Sequence, residues 1–203
     1  MELDPVQLRV LGCLIEKQRT TPDQYPLSLN GLRLACNQAT NREPVVDYDE
    51  ATIRAALADL SRRGWARLAS GPGSRAVKYR HLFDEALSLS DGEISLLAVL
   101  MLRGPQTVAE LKQRAERLHG FDSTAEVTET LESLAERELA QLLPRRPGER
   151  EARWAHLLGE ASAPPAPPEA ALASDVRPDL EERVRRLEEA VAALEAQVAR
   201  GPG

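Results

Sequence analysis

Aromatic side chains are scarce in this 203-residue sequence, at 3% of the whole, and it holds only two cysteines and three histidines. That leaves little material for nucleophilic, metal or redox chemistry. Cys13 and Cys36 lack the short paired spacing of a zinc site and the density of a disulfide framework, so both read as core residues. No cationic-then-apolar leader opens the chain. Its longest nearly apolar run, Ile94 to Leu102, is about half of the ~20 residues that span a bilayer, so a cytoplasmic protein without membrane contact is expected. A broad basic surface is also missing. The net charge is −6, and any contact with nucleic acid must therefore be local. Residues 1–86 carry 12 Lys/Arg against 11 Asp/Glu, residues 87–160 carry 9 against 13, and residues 161–203 carry 5 against 8. Only the first segment is not acidic.

What is present is a repeated plan. In DYDEATIRAALADLSRRG, residues 47–64, Ile53, Ala56, Leu57 and Leu60 recur at helical spacing, with Arg54, Ala58 and Arg62 on the other face. Asp47 or Asp49 can cap this helix, Glu50 completes a capping box from Asp47, and Gly64 supplies a left-handed stop. WARLAS and AVKYRHLF then read as two strands around the tip GPGSR, a hairpin too short to stand without a helix beneath it. Upstream, Asp4 and Pro5 start a first helix that ends near Lys17, Tyr25 to Leu27 form a short edge strand, and Ser28 caps a second helix. The segment NQATNREPVVDY between the second and third helices is longer than the 3 to 4 residues of a usual helix-turn-helix turn.

From Leu89 the plan restarts. Ser90 with Glu93, Thr107 with Glu110 and Ser123 with Glu126 form three capping boxes ahead of apolar-periodic segments. LSRRGWARL at 60–68 corresponds to LAERELAQL at 134–142, and KYRHLF at 78–83 to RWAHLL at 153–158, so the segment is a tandem repeat. The helix from Asp91 to Arg103 is apolar nearly all round, which implies packing against the first unit or against a partner chain.

The fold class is therefore mainly α with small β-hairpins (α+β). It comprises two tandem winged-helix domains, residues 1–86 and 87–160, a Pro/Ala-rich linker over 161–179 and a heptad helix over 180–200. In that last helix Leu180, Val184, Leu187, Val191, Leu194 and Val198 form a Val/Leu seam suited to a parallel homodimer. A solvated single helix is the alternative, because three heptads are short.

The residues RVLGCLIEK (9–17), TTPDQYPLSLNGLRLACNQATNREPV (20–45), RGPQTVAELKQR (103–114), FDSTAEVTETLESLAER (121–137) and PGEREARWAHLL (147–158) together resemble the YceH-like family of uncharacterised bacterial proteins. The resemblance covers about residues 3–160 and implies two winged helices in tandem. It brings no activity, ligand or catalytic residue.

An enzyme is not expected. His81 and His156 hold matching places at the hairpin ends, where repetition of fold explains them; His119 precedes a helix-ending glycine; and a Cys36–His81 nucleophile pair is the sole catalytic alternative. GPGSR lacks the lysine and following helix of a phosphate-binding loop. No cofactor or metal is expected. DNA binding draws on Arg54 and Arg62 of the third helix, on Arg75, Lys78 and Arg80 of the wing, and on Asn37, Gln38, Asn41 and Arg42 of the long loop. Against it stand Asp47, Asp49, Glu50 and Asp59, which would repel phosphate. The matching helix of the second unit carries Glu126, Glu129, Glu132 and Glu136 and reads as a packing or protein-binding element. Two functions follow: a regulator that contacts double-stranded DNA through the first unit, or an adaptor that binds other proteins without catalysis.

Overall fold

Capping chemistry places most of the helix starts. The structure, a computed structural model, describes residues 2–69, 77–145 and 147–159. Asp4 accepts from the Gln7 amide at 2.8 Å and the Gln7 side chain accepts from the Asp4 amide at 3.3 Å, a closed box that opens α1 (Pro5–Thr20). This helix continues three residues beyond the expected end at Lys17. Ser28 caps α2 (Leu29–Cys36), and Asp49 caps α3 (Glu50–Arg62) through the Thr52 amide at 2.8 Å. The expected box from Asp47 does not form, because Glu50 is already the first helical residue and the Asp47 carboxylate accepts instead from Asn37. Boxes close at Ser90–Glu93 for α5 (Asp91–Arg103) and at Thr107–Glu110 for α6 (Val108–Ala115). At α7 (Thr124–Glu136) the cap is Ser123, but Glu126 reaches back to the Asp122 amide rather than to that of Ser123. A five-residue helix, α4 (Phe83–Leu87), was not expected.

The strands are short and antiparallel. β1 (Leu27–Ser28), β3 (Lys78–His81) and β2 (Ala66–Leu68) form one sheet in the order β1-β3-β2, and β4 (Ala140–Leu142) pairs with β5 (Trp154–His156) in another. The chain is α+β and mostly helical.

The repeat visible in the sequence recurs in hydrogen bonding. Ala66 faces His81 as Ala140 faces His156. The Trp65 amide donates to the Leu60 carbonyl and Leu82 to Trp65, while Leu139 donates to Leu134 and Leu157 to Leu139. Gln106 bridges Trp154 at the sheet edge where β1 pairs with β3 in the first copy. One position differs. The left-handed residue that ends the third helix of the copy is Gly64 at φ 75° in the first and Glu138 at φ 55° in the second.

The two copies share a core through α1 and α5. Residues 7–15 of α1 and 92–102 of α5 are buried without interruption. A methyl group added at Gly12 would sit 2.9 Å from Leu102 Cγ, so the helices approach closely at that glycine. This accounts for the all-round apolar character of α5. At the ends of the described fold, Leu3 donates to the Leu158 carbonyl at 2.7 Å and forms a parallel bridge with Gly159. The heptad residues Leu180, Val184, Leu187, Val191, Leu194 and Val198, and Arg75 of the first hairpin tip, lie outside the described residues. Among those described, no helix is long and apolar enough to cross a membrane.

Candidate nucleic-acid interface

α3 turns Ile53, Ala56, Leu57 and Leu60 into the core, which leaves Ala51, Arg54, Ala55, Ala58 and Arg62 as an exposed stripe on its other side. Three methyl groups give the stripe low relief, and a shallow trough runs along Glu50, Ala51, Arg54, Ala55 and Ala58. Arg54 is its central charge. Asp59 does not project into the stripe: one carboxylate oxygen accepts from Gln7 Nε2 at 3.1 Å and the other from Arg62. The negative charge is thus held at the first turn, on Asp49 and Glu50, and along the flank.

The neighbouring sheet adds cations. Alternation along β3 places Lys78 and Arg80 on one face, and the register sets Arg67 of β2 directly opposite Arg80. Arg67 is exposed, whereas Arg80 pairs with Glu85 of α4. The sequence reading missed Arg67, although the same alternation within WARLAS carries the signal.

The loop residues lie elsewhere, and two of them must be corrected. Arg42 is buried, bonded to the Ala35 and Asn41 carbonyls and to both oxygens of Glu16, the closest at 2.6 Å, so it does not reach phosphate. Glu16, despite burial that pushes it up, is held below its ordinary range by Arg42. Asn37 is equally committed, donating to the Tyr48 carbonyl and accepting from the Tyr48 amide, each at 2.9 Å. Together with Arg9, which donates to the carbonyls of Cys36 and Pro44, these groups fix the long loop as a structural connection. Gln38 and Asn41 face a separate cleft between α1, α5 and α6. Physically, a guanidinium beside a buried carboxylate and open carbonyls is a fastening, and the linear sequence does not show that neighbourhood.

The second copy offers a different surface. On α7 the exposed residues include Ala125, Glu129, Glu132 and Glu136. In its hairpin, Arg153 is paired with Glu110 at 2.7 Å and Ala155 is buried.

Both hairpin-end histidines are buried. Burial pushes each imidazole down from 6.5 to about 4; for His81 the nearby Asp84 carboxylate, 3.4 Å from Nδ1, opposes that shift. His81 also contacts Gln18 through Nε2 and stacks obliquely near Tyr25. Cys36, buried in α2, lies against Cys13 and the guanidiniums of Arg9 and Arg42, and its thiol is pushed up by the Cys13 sulfur and by burial. The two members of the Cys36–His81 pair thus have separate sets of neighbours. Among the described residues no cluster of histidine, cysteine and carboxylate side chains could hold a metal ion.

The profile of the family described as "Protein of unknown function, DUF480" matches residues 3–149. A UPF0502 protein of Shewanella loihica is 46% identical over 212 residues, covering 98% of this chain and 97% of that protein. A UPF0502 protein of Pectobacterium carotovorum is 46% identical over 206 residues, with 98% and 97% covered, and one of Pseudomonas fluorescens is 44% identical over 206 residues, with 98% and 93% covered. These similarities agree with the resemblance read from the sequence motifs.

Proposed function

The chain belongs to the DUF480 family, and from that footing we propose that its repeated helix-helix-hairpin unit is a winged helix and that the first copy binds double-stranded DNA. The observation that carries this reading is the contrast between the exposed stripes of α3 and α7. The α3 stripe combines small side chains with Arg54 and Arg62, while the α7 stripe carries Glu129, Glu132 and Glu136. Alanine methyls allow a helix backbone to approach base edges and contact thymine methyls, and a guanidinium suits phosphate or guanine. Arg67, Lys78 and Arg80 on the adjacent sheet face supply backbone contacts that position the helix. Asp59 is held by Gln7 and Arg62, which leaves Glu50 at the first turn as the carboxylate that shares the trough with Arg54. The reading includes no catalysis. Pairing of two chains through the heptad seam would bring two such surfaces to one duplex.

A salt series of gel shifts against a random duplex pool tests the proposal. Each phosphate contact adds about −0.9 to the slope of log affinity against log salt, so Arg54→Ala with Arg67→Ala is expected to weaken binding to all sequences and to flatten the slope by about 2. Arg145→Ala in the second hairpin is expected to leave both unchanged. Equal losses from the two sites, or no shift of any duplex at low salt, would remove the reading.

A second reading has its own support. Leu68 and Leu142, at equivalent hairpin positions, are 62% and 54% exposed, a pattern suited to contact with another protein. An adaptor of this kind would lose its partner on Leu68→Ser while DNA binding stayed absent.

A further inference from the structure

A cleft of about 700 Å³ lies where the end of α1, the 37–49 loop, the end of α5 and α6 converge, and it falls within the size range of small-molecule sites. Its walls are cationic in a chain that is acidic overall. Lys17, Arg103, Arg114 and Arg117 line it against a single carboxylate, Glu16, which is already paired with the buried Arg42 at 2.6 Å and with Lys17 at 3.2 Å. Cations at helix ends complement the helix dipole, and that accounts for Lys17, Arg103 and Arg114 one at a time. It does not account for their facing one another. Burial first, then the charges of Arg114 and Arg42, push the Arg103 guanidinium down from its ordinary value, against the opposing effect of Glu16 and Glu110. Arg114 is paired with Glu110 at 3.6 Å, whereas Arg117, beyond the end of α6, has no ion pair among the described residues.

The neutral groups point the same way. The Gln38 side-chain carbonyl accepts from Arg42 at 2.9 Å, and that of Asn41 accepts from Arg103. Each carbonyl oxygen must face its guanidinium, so each amide NH2 is turned outward as a donor. Asn41 holds this position in a left-handed conformation, φ 61°, which asparagine tolerates better than most residues. These amides add donors to the cationic wall, Thr20, Thr21, Thr40 and Gln113 add groups that also accept, and Val99 and Leu102 supply an apolar floor. A cavity with four cations against one carboxylate recognises a ligand rich in acceptors and negative charge.

We infer that this cleft binds a phosphorylated small molecule of nucleotide size, its phosphates held by Arg103, Arg114 and Arg117 and its apolar portion resting on Val99 and Leu102. The inference is independent of the DNA-binding reading, because none of these residues lies on α3 or the first hairpin.

Titration calorimetry of the full chain with inorganic pyrophosphate, ATP and GTP tests it. Saturable binding of at least one probe is expected, weakened roughly tenfold or more by Arg117→Ala and by Arg103→Gln, as the loss of a charged hydrogen bond implies, and unchanged by Arg145→Ala. Arg117 is exposed, so its variant keeps the fold if Arg103→Gln does not, and thermal melts of both separate the cases. No binding of any probe at about millimolar concentration would overturn the inference, as would binding that survives both variants. Loss of duplex DNA binding in Arg117→Ala without any binding of the three probes would assign the cleft to a nucleic-acid backbone instead.

Discussion

Burying an imidazole at the end of each hairpin links stability to pH. His81 and His156 are pushed from 6.5 to about 4 in the folded chain, so between those values the unfolded chain binds the extra protons. The stabilisation is complete above about pH 6.5 and is lost as the pH falls toward 4, on the order of 3 kcal/mol for each histidine. Facing His81 are Asp84, Arg80 and Arg19, of which only the carboxylate favours the protonated ring. Glu16, Glu93 and Glu110 are held below their ordinary 4.5, so their contribution disappears only at lower pH. Urea unfolding at pH 7 and pH 5 is expected to show a loss of several kcal/mol, and His156→Gln is expected to remove about half of the dependence. A flat profile would mean that the rings are not buried as described. At this scale the sequence was informative about symmetry and silent about environment. The equivalence of His81 and His156 was visible in matching KYRHLF and RWAHLL, but the fate of Arg42 depended on Glu16 lying 26 residues away in sequence.

Helix ends carry the sharpest difference between the two copies. Gly64 and Glu138 take the same left-handed step out of α3 and α7, and only the glycine does so without a Cβ clash. Glu138→Gly is expected to raise stability by about 1 kcal/mol, and Gly64→Ala to lower it by a similar amount. Chemical denaturation of the two variants measures both, and an unstable Glu138→Gly would show that the glutamate side chain stabilises the turn. Element boundaries were legible wherever a cap with its partner three residues on preceded a periodic apolar stripe, as at Ser90 and Thr107. They were less legible where two acids competed for the same cap, as Asp47 and Asp49 did, and α4 escaped notice because FDEAL is too short to establish a period. The roles of Arg54 and Arg62 as exposed residues followed from period alone. That Asp59 is drawn to Gln7 required the packing of α3 on α1.

In the molecule as a whole, the copies are joined by more than the chain. α1 of the first lies on α5 of the second with Gly12 at the crossing, and Glu93 at the start of α5 accepts from Ser133 and Arg137 at the other end of its own copy. Leu3 and Gly159 meet in a backbone bridge, so the path through both copies returns to where it started. The order in which the copies are strung along the polypeptide is then incidental to the architecture. A circular permutant that joins 159 to 3 through a short glycine-serine link and opens the chain between Ser88 and Leu89 is expected to melt within a few degrees of the parent, as one transition. Two separate transitions would show that the connection at Ser88 is what holds the copies to one cooperative unit. In evolutionary terms, a fold closed on itself in this way can exchange leader and follower, and the copy that comes first on the ribosome need not be the one that first acquired a function.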